Sequence, residues 1–384
     1  MANTIDTTQA QYFIPEVWAN EALAILRQNI VATPRVARDS DVASFTRGDI
    51  LHVPYPGTLA ASDKSAGTEY TLAQPSGETE VQVTLNKHKA VSFVVEDIAR
   101  AQSSQDILAR YSQAAAISIA ETIESDLIAE MQGGTYKSGS YGTDIDAAAL
   151  RTGWKTMTDN KCPQDGRSVI LSTTDSIAIL GDSSLANFLQ LSRPTATAEG
   201  PQAIGNLYGF DLFPSQFITE AGTGVALANP SANADDIIDT STAHGFAADD
   251  VVEFTALTGG AGLSTSTQYY VISANLGAQT FQVSATKGGA AVNFTTDITA
   301  GSVRSINRKN VAFRRDGAMV AFRGLPEPPA GSGAVAANVM DPASGVVMRV
   351  LMAYDARLGG VQVTYEVLYG VKRLDEAKLL MLKS

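Results

Sequence analysis

From Gly57 to Gly77 the chain reads Gly-Thr-Leu-Ala-Ala-Ser-Asp-Lys-Ser-Ala-Gly-Thr-Glu-Tyr-Thr-Leu-Ala-Gln-Pro-Ser-Gly, which has almost nothing to bury. A structureless loop of about 20 residues is uncommon inside a compact domain and is normally functional. Its flanks, by contrast, are regular. Gly48-Asp49 opens a strand at Ile50-Leu-His-Val-Pro54, and the returning arm alternates at Val81, Val83 and Leu85, then at Val91, Phe93 and Val95. Ile107, Tyr111, Ala115, Ile119, Ile123, Leu127 and Met131 then recur every fourth residue, which predicts a helix over about Ser104 to Met131. Ser103 serves as its N-cap with Asp106 in the first turn, and Gly133-Gly134 is its stop. At 1.5 Å per residue this helix is about 40 Å long, longer than a small domain is wide. The chain closes on a strand, Val361-Gln-Val-Thr-Tyr-Glu-Val-Leu-Tyr-Gly370. A two-stranded arm held out by a long helix suits contact with a neighbouring copy better than enclosure of a substrate.

At 384 residues, two folding units are the expectation. Hydrophobic residues make up 45% and charged residues 18%, a balance that suits a well-buried globular protein. The formal charge of −12 argues against a basic nucleic-acid binder, although an internal basic face remains compatible with it. The single cysteine, Cys162, excludes an intrachain disulfide framework and a cysteine metal cluster. Neither a secretory signal nor an apolar run of membrane-spanning length occurs, so a soluble protein, intracellular at synthesis, is expected.

Phe13 to Asn29 reads as a short helix, with Pro15 near its start and an apolar face of Trp18, Ala22, Ile25 and Leu26. That face fits its own core and a neighbouring subunit equally well. Between Asp146 and Thr219, strand-like and helix-like pieces alternate. Arg167–Ser172 reads as a buried strand, Ile177–Leu180 and Leu185–Leu191 as helical, and Gly205–Pro214 as strand. At about Val225 the chain becomes rich in Gly, Ala, Thr and Ser. Short runs at Val251–Thr255, Gln268–Ile272, Thr280–Ser284 and Val292–Thr295 are punctuated by Gly259-Gly260 and Gly288-Gly289, the mark of a small all-β domain. Residues 226–302 carry seven acids against one base, a net of −6. Mixed sequence resumes at Asn310-Val-Ala-Phe-Arg-Arg-Asp-Gly-Ala318, so the segment is an insertion, not a tail.

Catalytic chemistry is not evident. His52, His88 and His244 lie apart without ligand spacing. Gly181-Asp-Ser-Ser-Leu185 lacks the last glycine of a nucleophile elbow. Gly200-Pro-Gln-Ala-Ile-Gly205 has phosphate-loop glycine spacing, but Asn206 and Leu207 stand where Lys and Ser or Thr are needed. Cys162, followed by Pro163, is best read as a structural thiol, and Asn293-Phe-Thr295 as a sequon by pattern only. No catalytic, cofactor or metal residues are assigned, and a non-enzymatic protein is expected.

The order of these segments resembles the major capsid protein of tailed bacteriophages, the Hong Kong 97-type shell fold. The resemblance rests on Phe13-Ile-Pro-Glu-Val-Trp18, Gly48-Asp49, Asn86-Lys-His-Lys-Ala-Val-Ser-Phe-Val-Val-Glu-Asp-Ile98, Phe313-Arg-Arg-Asp-Gly-Ala318 and Glu366-Val-Leu-Tyr-Gly-Val371. It implies an α+β chain with an N-terminal arm, an extended loop (57–77), a peripheral domain around the spine helix (104–131) and an axial domain. Residues 1–225 and 303–384 would form the shell domain and 226–302 an inserted β-rich surface domain. Hexamers and pentamers of the chain would enclose double-stranded DNA in an icosahedral head, assembled in the host cytoplasm. Leu59, Lys64, Glu69, Tyr70 and Leu72 would lie between subunits, and Lys64 is the one loop lysine available for the cross-links some relatives form. Arg100 and Arg110 would face DNA through non-specific contacts, or else form surface salt bridges. A shell-like sequence beginning at Phe13 implies either that a cleavable scaffolding region has been removed or that scaffolding is a separate protein, which Met1 favours; a portal protein and a cement or decoration protein are further implied partners, and no membrane or cofactor is. The insert resembles β modules of virion proteins at Ala243-His-Gly-Phe246, Asp250-Val-Val-Glu-Phe254 and Tyr269-Tyr-Val-Ile272. Tyr269 and Tyr270 are its candidate surface aromatics, and alternation allows only one to point outward. The alternatives are a bacterial nanocompartment shell, which shares the fold, and a soluble enzyme with a β appendage.

Overall fold

A computed structural model describes residues 30–39, 50–55, 59, 61–70, 72, 79–97, 107–181, 205–228, 235–329, 333–340 and 346–384. The expected helices at Phe13–Asn29 and Leu185–Leu191 lie outside these residues, as do the cap residues Ser103 and Asp106. The chain packs as two compact units, one within Met1–Met131 and Arg314–Glu376, the other within Gln132–Phe313 and Ala377–Ser384. Strands are numbered along the chain.

In the first unit β1 (Ala37–Asp39), β2 (Ile50–Tyr55), β3 (Thr79–Thr84) and β4 (Lys87–Glu96) precede the helix α1 (Ile107–Gln132). Four strands follow late in the chain: β16 (Ala318–Arg323), β17 (Ala334–Met340), β18 (Val347–Asp355) and β19 (Gly360–Arg373). The main sheet has the order β1-β16-β19-β18-β17, and β4 lies along β19. β19 organises it: at 14 residues it is long enough to pair with β18 by its first half and β16 by its second. β4 covers its other edge from Gly360–Glu96 to Tyr369–Lys87. Gly370 is needed in β19, because a Cβ there would stand 2.2 Å from the Thr84 carbonyl oxygen.

Helix α1 buries two neighbouring stripes. Ala115, Ile119, Ile123, Leu127 and Met131 form one, as the four-residue spacing predicts; Ala116, Ala120, Glu124 and Ile128 form the other. Tyr111, expected on the apolar face, is exposed, with its ring 5.6 Å from that of Phe93.

The second unit contains two sheets. β5 (Lys137–Gly139), α2 (Ala147–Asp159), β6 (Arg167–Leu171), α3 (Thr173–Gly181), β7 (Gly205–Leu207) and β8 (Phe210–Pro214) open it. Then come β9 (Val225–Ala226), β10 (Ile238–Asp239), β11 (Val251–Thr258), β12 (Gln268–Ile272), β13 (Thr280–Ser284) and β14 (Ala300–Ser305), followed by β15 (Lys309–Arg314) and β20 (Leu379–Lys383). One sheet runs β5-β20-β15-β6-β8-β7. The Asp146 side chain caps α2 by accepting the Ala149 N–H at 2.7 Å. Ala147, Leu150, Gly153 and Met157 of α2 are buried at helical spacing, in one core with Leu380 and Leu382. Tyr208 and Gly209, both at positive φ, form the two-residue turn joining β7 to β8, as a tight hairpin requires. A buried polar cluster sits at one end of this core. Asp175 accepts the Ile145 N–H (3.0 Å), the Ser172 and Ser384 hydroxyls (2.8 and 2.6 Å) and the Asn310 amide (2.7 Å).

The other sheet runs β10-β13-β12-β11-β14-β9 around Phe254, Val271, Phe281, Phe294 and Val303. Three of the four expected strands appear. Val292–Thr295 is not one: its N–H groups bond to scattered acceptors, Val292 to the Val283 carbonyl, Phe294 to an Asp236 carboxylate oxygen and Thr295 to the Ala261 carbonyl. The sheet's last strand extends to Ser305, three residues past the expected boundary at Ser302.

Candidate assembly surfaces

The extended arm is built as a rooted hairpin. β2 and β3 pair from Ile50–Thr84 to Tyr55–Thr79 in a separate two-stranded sheet. Its root is apolar: Val83 is buried with Met319 and Ala321, and Leu51, Val53 and Leu85 pack against them. Beyond Tyr55 that support ends. Leu59, Tyr70 and Leu72 are 65%, 80% and 89% exposed, and Lys64 and Glu69 are exposed as well. Order at the tip is local. Thr68 donates its N–H and its hydroxyl to the Ser65 carbonyl, Gly67 takes the positive φ of that turn, and the Lys64 ammonium stands 5.1 Å from the Tyr70 ring centroid. Burying the three apolar side chains on a partner would contribute about 1.5–3 kcal/mol each.

Carboxylates of α1 fasten chain segments far away in sequence. Glu124, 0% exposed, accepts the N–H groups of Val31 at 3.1 Å, Ala32 at 2.5 Å and Thr33 at 3.4 Å, and the Thr33 hydroxyl at 3.3 Å. Burial pushes its carboxyl above the usual carboxylate range, with these hydrogen bonds acting against the shift. Asp126 accepts the Tyr369 hydroxyl at 2.6 Å and pairs with Lys87 at 3.0 Å. Burial raises its pKa, but the hydrogen bonds from Tyr369 and Lys87 and the charges of Lys87 and Lys89 outweigh it, so the net shift is downward. Arg373 donates to Glu130 at 3.4 Å. The helix is thereby tied to β4, β19 and the 31–33 segment. Glu124 was missed from sequence, yet a lone acid in an Ala-Ala-Ile stripe is the signal that could have found it.

The remaining sequence candidates are dispersed. Arg100 lies outside the described residues, and Arg110 lies on α1 with its side chain outside them too. Tyr269, 5% exposed, points inward with its hydroxyl accepting the Ser264 N–H, so it is corrected from a surface aromatic to a core residue. Tyr270 is half-buried beside Gly142, where a Cβ would meet its hydroxyl at 2.9 Å. His244 bonds locally to the Phe246 N–H, and Cys162 is buried. Among the described residues no group of His, Cys, Asp and Glu is placed to hold a metal ion, and no helix is long and apolar enough to cross a membrane.

A family model described as phage capsid protein matches residues 78–325, well over half of the chain. Solved structures that share the fold include the capsid of Ralstonia phage GP4, at 8% identity and a TM-score of 0.50, covering 93% of this chain and 91% of the other. Mycobacterium phage Che8 gives 14% identity, a TM-score of 0.48 and coverage of 92% and 91%. No curated protein matches the sequence. The chain therefore belongs to the phage capsid protein family: it is a self-assembling shell protein of the virion, with the α+β Hong Kong 97-type fold and an inserted β-rich region.

Proposed function

We propose that hexamers and pentamers of this chain build the icosahedral head of a tailed bacteriophage around double-stranded DNA. The observation that carries the reading is the hairpin arm, which is rooted on its own unit at Val83 yet presents Leu59, Tyr70 and Leu72 exposed, with nothing among the described residues to cover them. A neighbouring copy supplies the missing apolar partner, with Lys64 and Glu69 at the rim of that contact. Scaffolding and portal proteins are the proposed assembly partners, and a cement protein fits the same role. The shell domain comprises 1–225 and 306–384, and 226–302, closed by the last three residues of β14, is an outward-facing decoration. Its net charge of −6 supports that placement, because packaged DNA would repel it. Arg100 and Arg110 face the DNA and contact its backbone without reading sequence. The phage family match favours this reading over a nanocompartment shell.

Deleting Leu59 to Gln74 should leave a folded subunit with a normal circular dichroism spectrum and no closed particles under the electron microscope. Normal particles from the deletion would refute the role of the arm. A reconstruction of wild-type particles tests the rest: the insert should lie on the outer surface and Arg110 on the inner wall. Insert density inside the shell would overturn the assignment.

A further inference from the structure

Three lysines of the second unit converge on one face of its mixed sheet. In the antiparallel pair β15–β20, Lys309 stands directly opposite Lys383. In the parallel pair β20–β5, Lys137 stands opposite Met381 and Gly139 opposite Lys383. Side chains alternate along strands, so Lys137, Lys309, Lys383 and Met381 share one face. The other face carries Ser138, Asn310 and Leu382, all buried. Like charges directly opposite on a ladder oppose its formation. Among the described residues no carboxylate lies within ion-pairing distance of any of the three lysines.

The three line a cavity of ≈ 450 Å³, and the 247–250 segment and Lys287 also border it. Two carboxylates reach the cavity, and both are engaged: Asp249 is 3.8 Å from the Lys287 ammonium, and Asp250 accepts the Ala247 N–H at 2.8 Å. Four ammonium groups thus face two carboxylates. Lys383 stands 4.9 Å from the centroid of the Tyr141 ring, which fixes its stem against the wall. Burial first, and then the charge of Asp250, push the Tyr141 hydroxyl up to about 12, so it remains a neutral donor. Ser140 adds a second hydroxyl to the lining.

We propose that this lysine-lined cavity binds a small polyphosphate anion. Lysine ammoniums act as point charges on phosphate oxygens. A singly charged carboxylate would leave the excess of positive charge only partly offset, whereas a polyphosphate carries several negative charges in a small volume. The cavity falls in the size range of small-molecule sites, and a double helix is too wide to enter it. This site is independent of the arm and of the assembly reading.

The test is calorimetric titration and thermal denaturation of the full chain with inorganic tripolyphosphate at constant ionic strength. Wild type should show saturable binding and a ligand-dependent rise in Tm. The K137Q/K309Q/K383Q variant should bind at least tenfold more weakly. Without ligand it should melt above wild type, because like-charge repulsion has been removed. K155Q, whose lysine pairs with Asp159 away from the cavity, should bind as wild type does. Absence of saturable binding to wild type, or equal binding by the triple variant, would overturn the proposal. So would a ligand-free Tm below wild type, which would make the lysines structural. Displacement of tripolyphosphate by short duplex DNA at equal phosphate concentration would assign the lysines to a nucleic-acid backbone instead, and would also reject it.

Discussion

Replacing Glu124 by alanine should release the 31–33 segment from the spine helix. The two short contacts, from the Val31 and Ala32 N–H groups at 3.1 and 2.5 Å, dominate, and the Thr33 contacts at 3.3–3.4 Å add little. A buried donor left without an acceptor costs about 1–3 kcal/mol. Two such donors amount to about 2–6 kcal/mol, partly offset because no carboxylate need then be buried, so a net loss of about 2–4 kcal/mol is expected. Urea denaturation of unassembled subunits would measure it, and hydrogen exchange at Val31 and Ala32 should show lost amide protection. The sign of the pH dependence follows from the upward shift of the Glu124 pKa. The folded chain holds this proton more tightly than the unfolded chain, so the contribution to stability is present below the ordinary glutamate pKa of about 4.3 and lost as pH rises through the raised folded value. Glu124→Gln removes the titration, and its stability relative to wild type should improve over that same rise. Stability of E124A within about 0.5 kcal/mol of wild type, with Val31 and Ala32 still protected, would refute the reasoning, since surface substitutions without a structural role stay within that range.

Two further perturbations probe the interior. Asp175→Ala strands the Ile145 N–H, the Ser172 and Ser384 hydroxyls and the Asn310 amide, so stability should fall by about 3–5 kcal/mol in thermal denaturation; a loss under about 1 kcal/mol would mean the cluster is not a unit. Gly370→Ala places a Cβ 2.2 Å from the Thr84 carbonyl oxygen and should cost about 1–3 kcal/mol in the same assay, an outcome contradicted if the variant melts as wild type does.

Much of this protein is legible in its sequence because the relevant physics is local. Four-residue spacing from Ala115 to Met131 marks a helix stripe wherever the helix lies, and the poverty of apolar residues between Gly57 and Gly77 means that loop cannot cover itself. Val292–Thr295 shows the limit of the same argument. Its alternation correctly signals that Phe294 turns inward, but alternation reports which way side chains face, not whether a second strand stands alongside. Pairing is a property of the partner. The short β1, held parallel to β16, and β20, held between β15 and β5, exist only because chain distant in sequence lies beside them. For the same reason the buried acceptor role of Glu124 and the convergence of Lys137, Lys309 and Lys383 belong to the tertiary structure. Each depends on which residues the fold places opposite one another across strands and helices remote in sequence, and no local periodicity encodes that register.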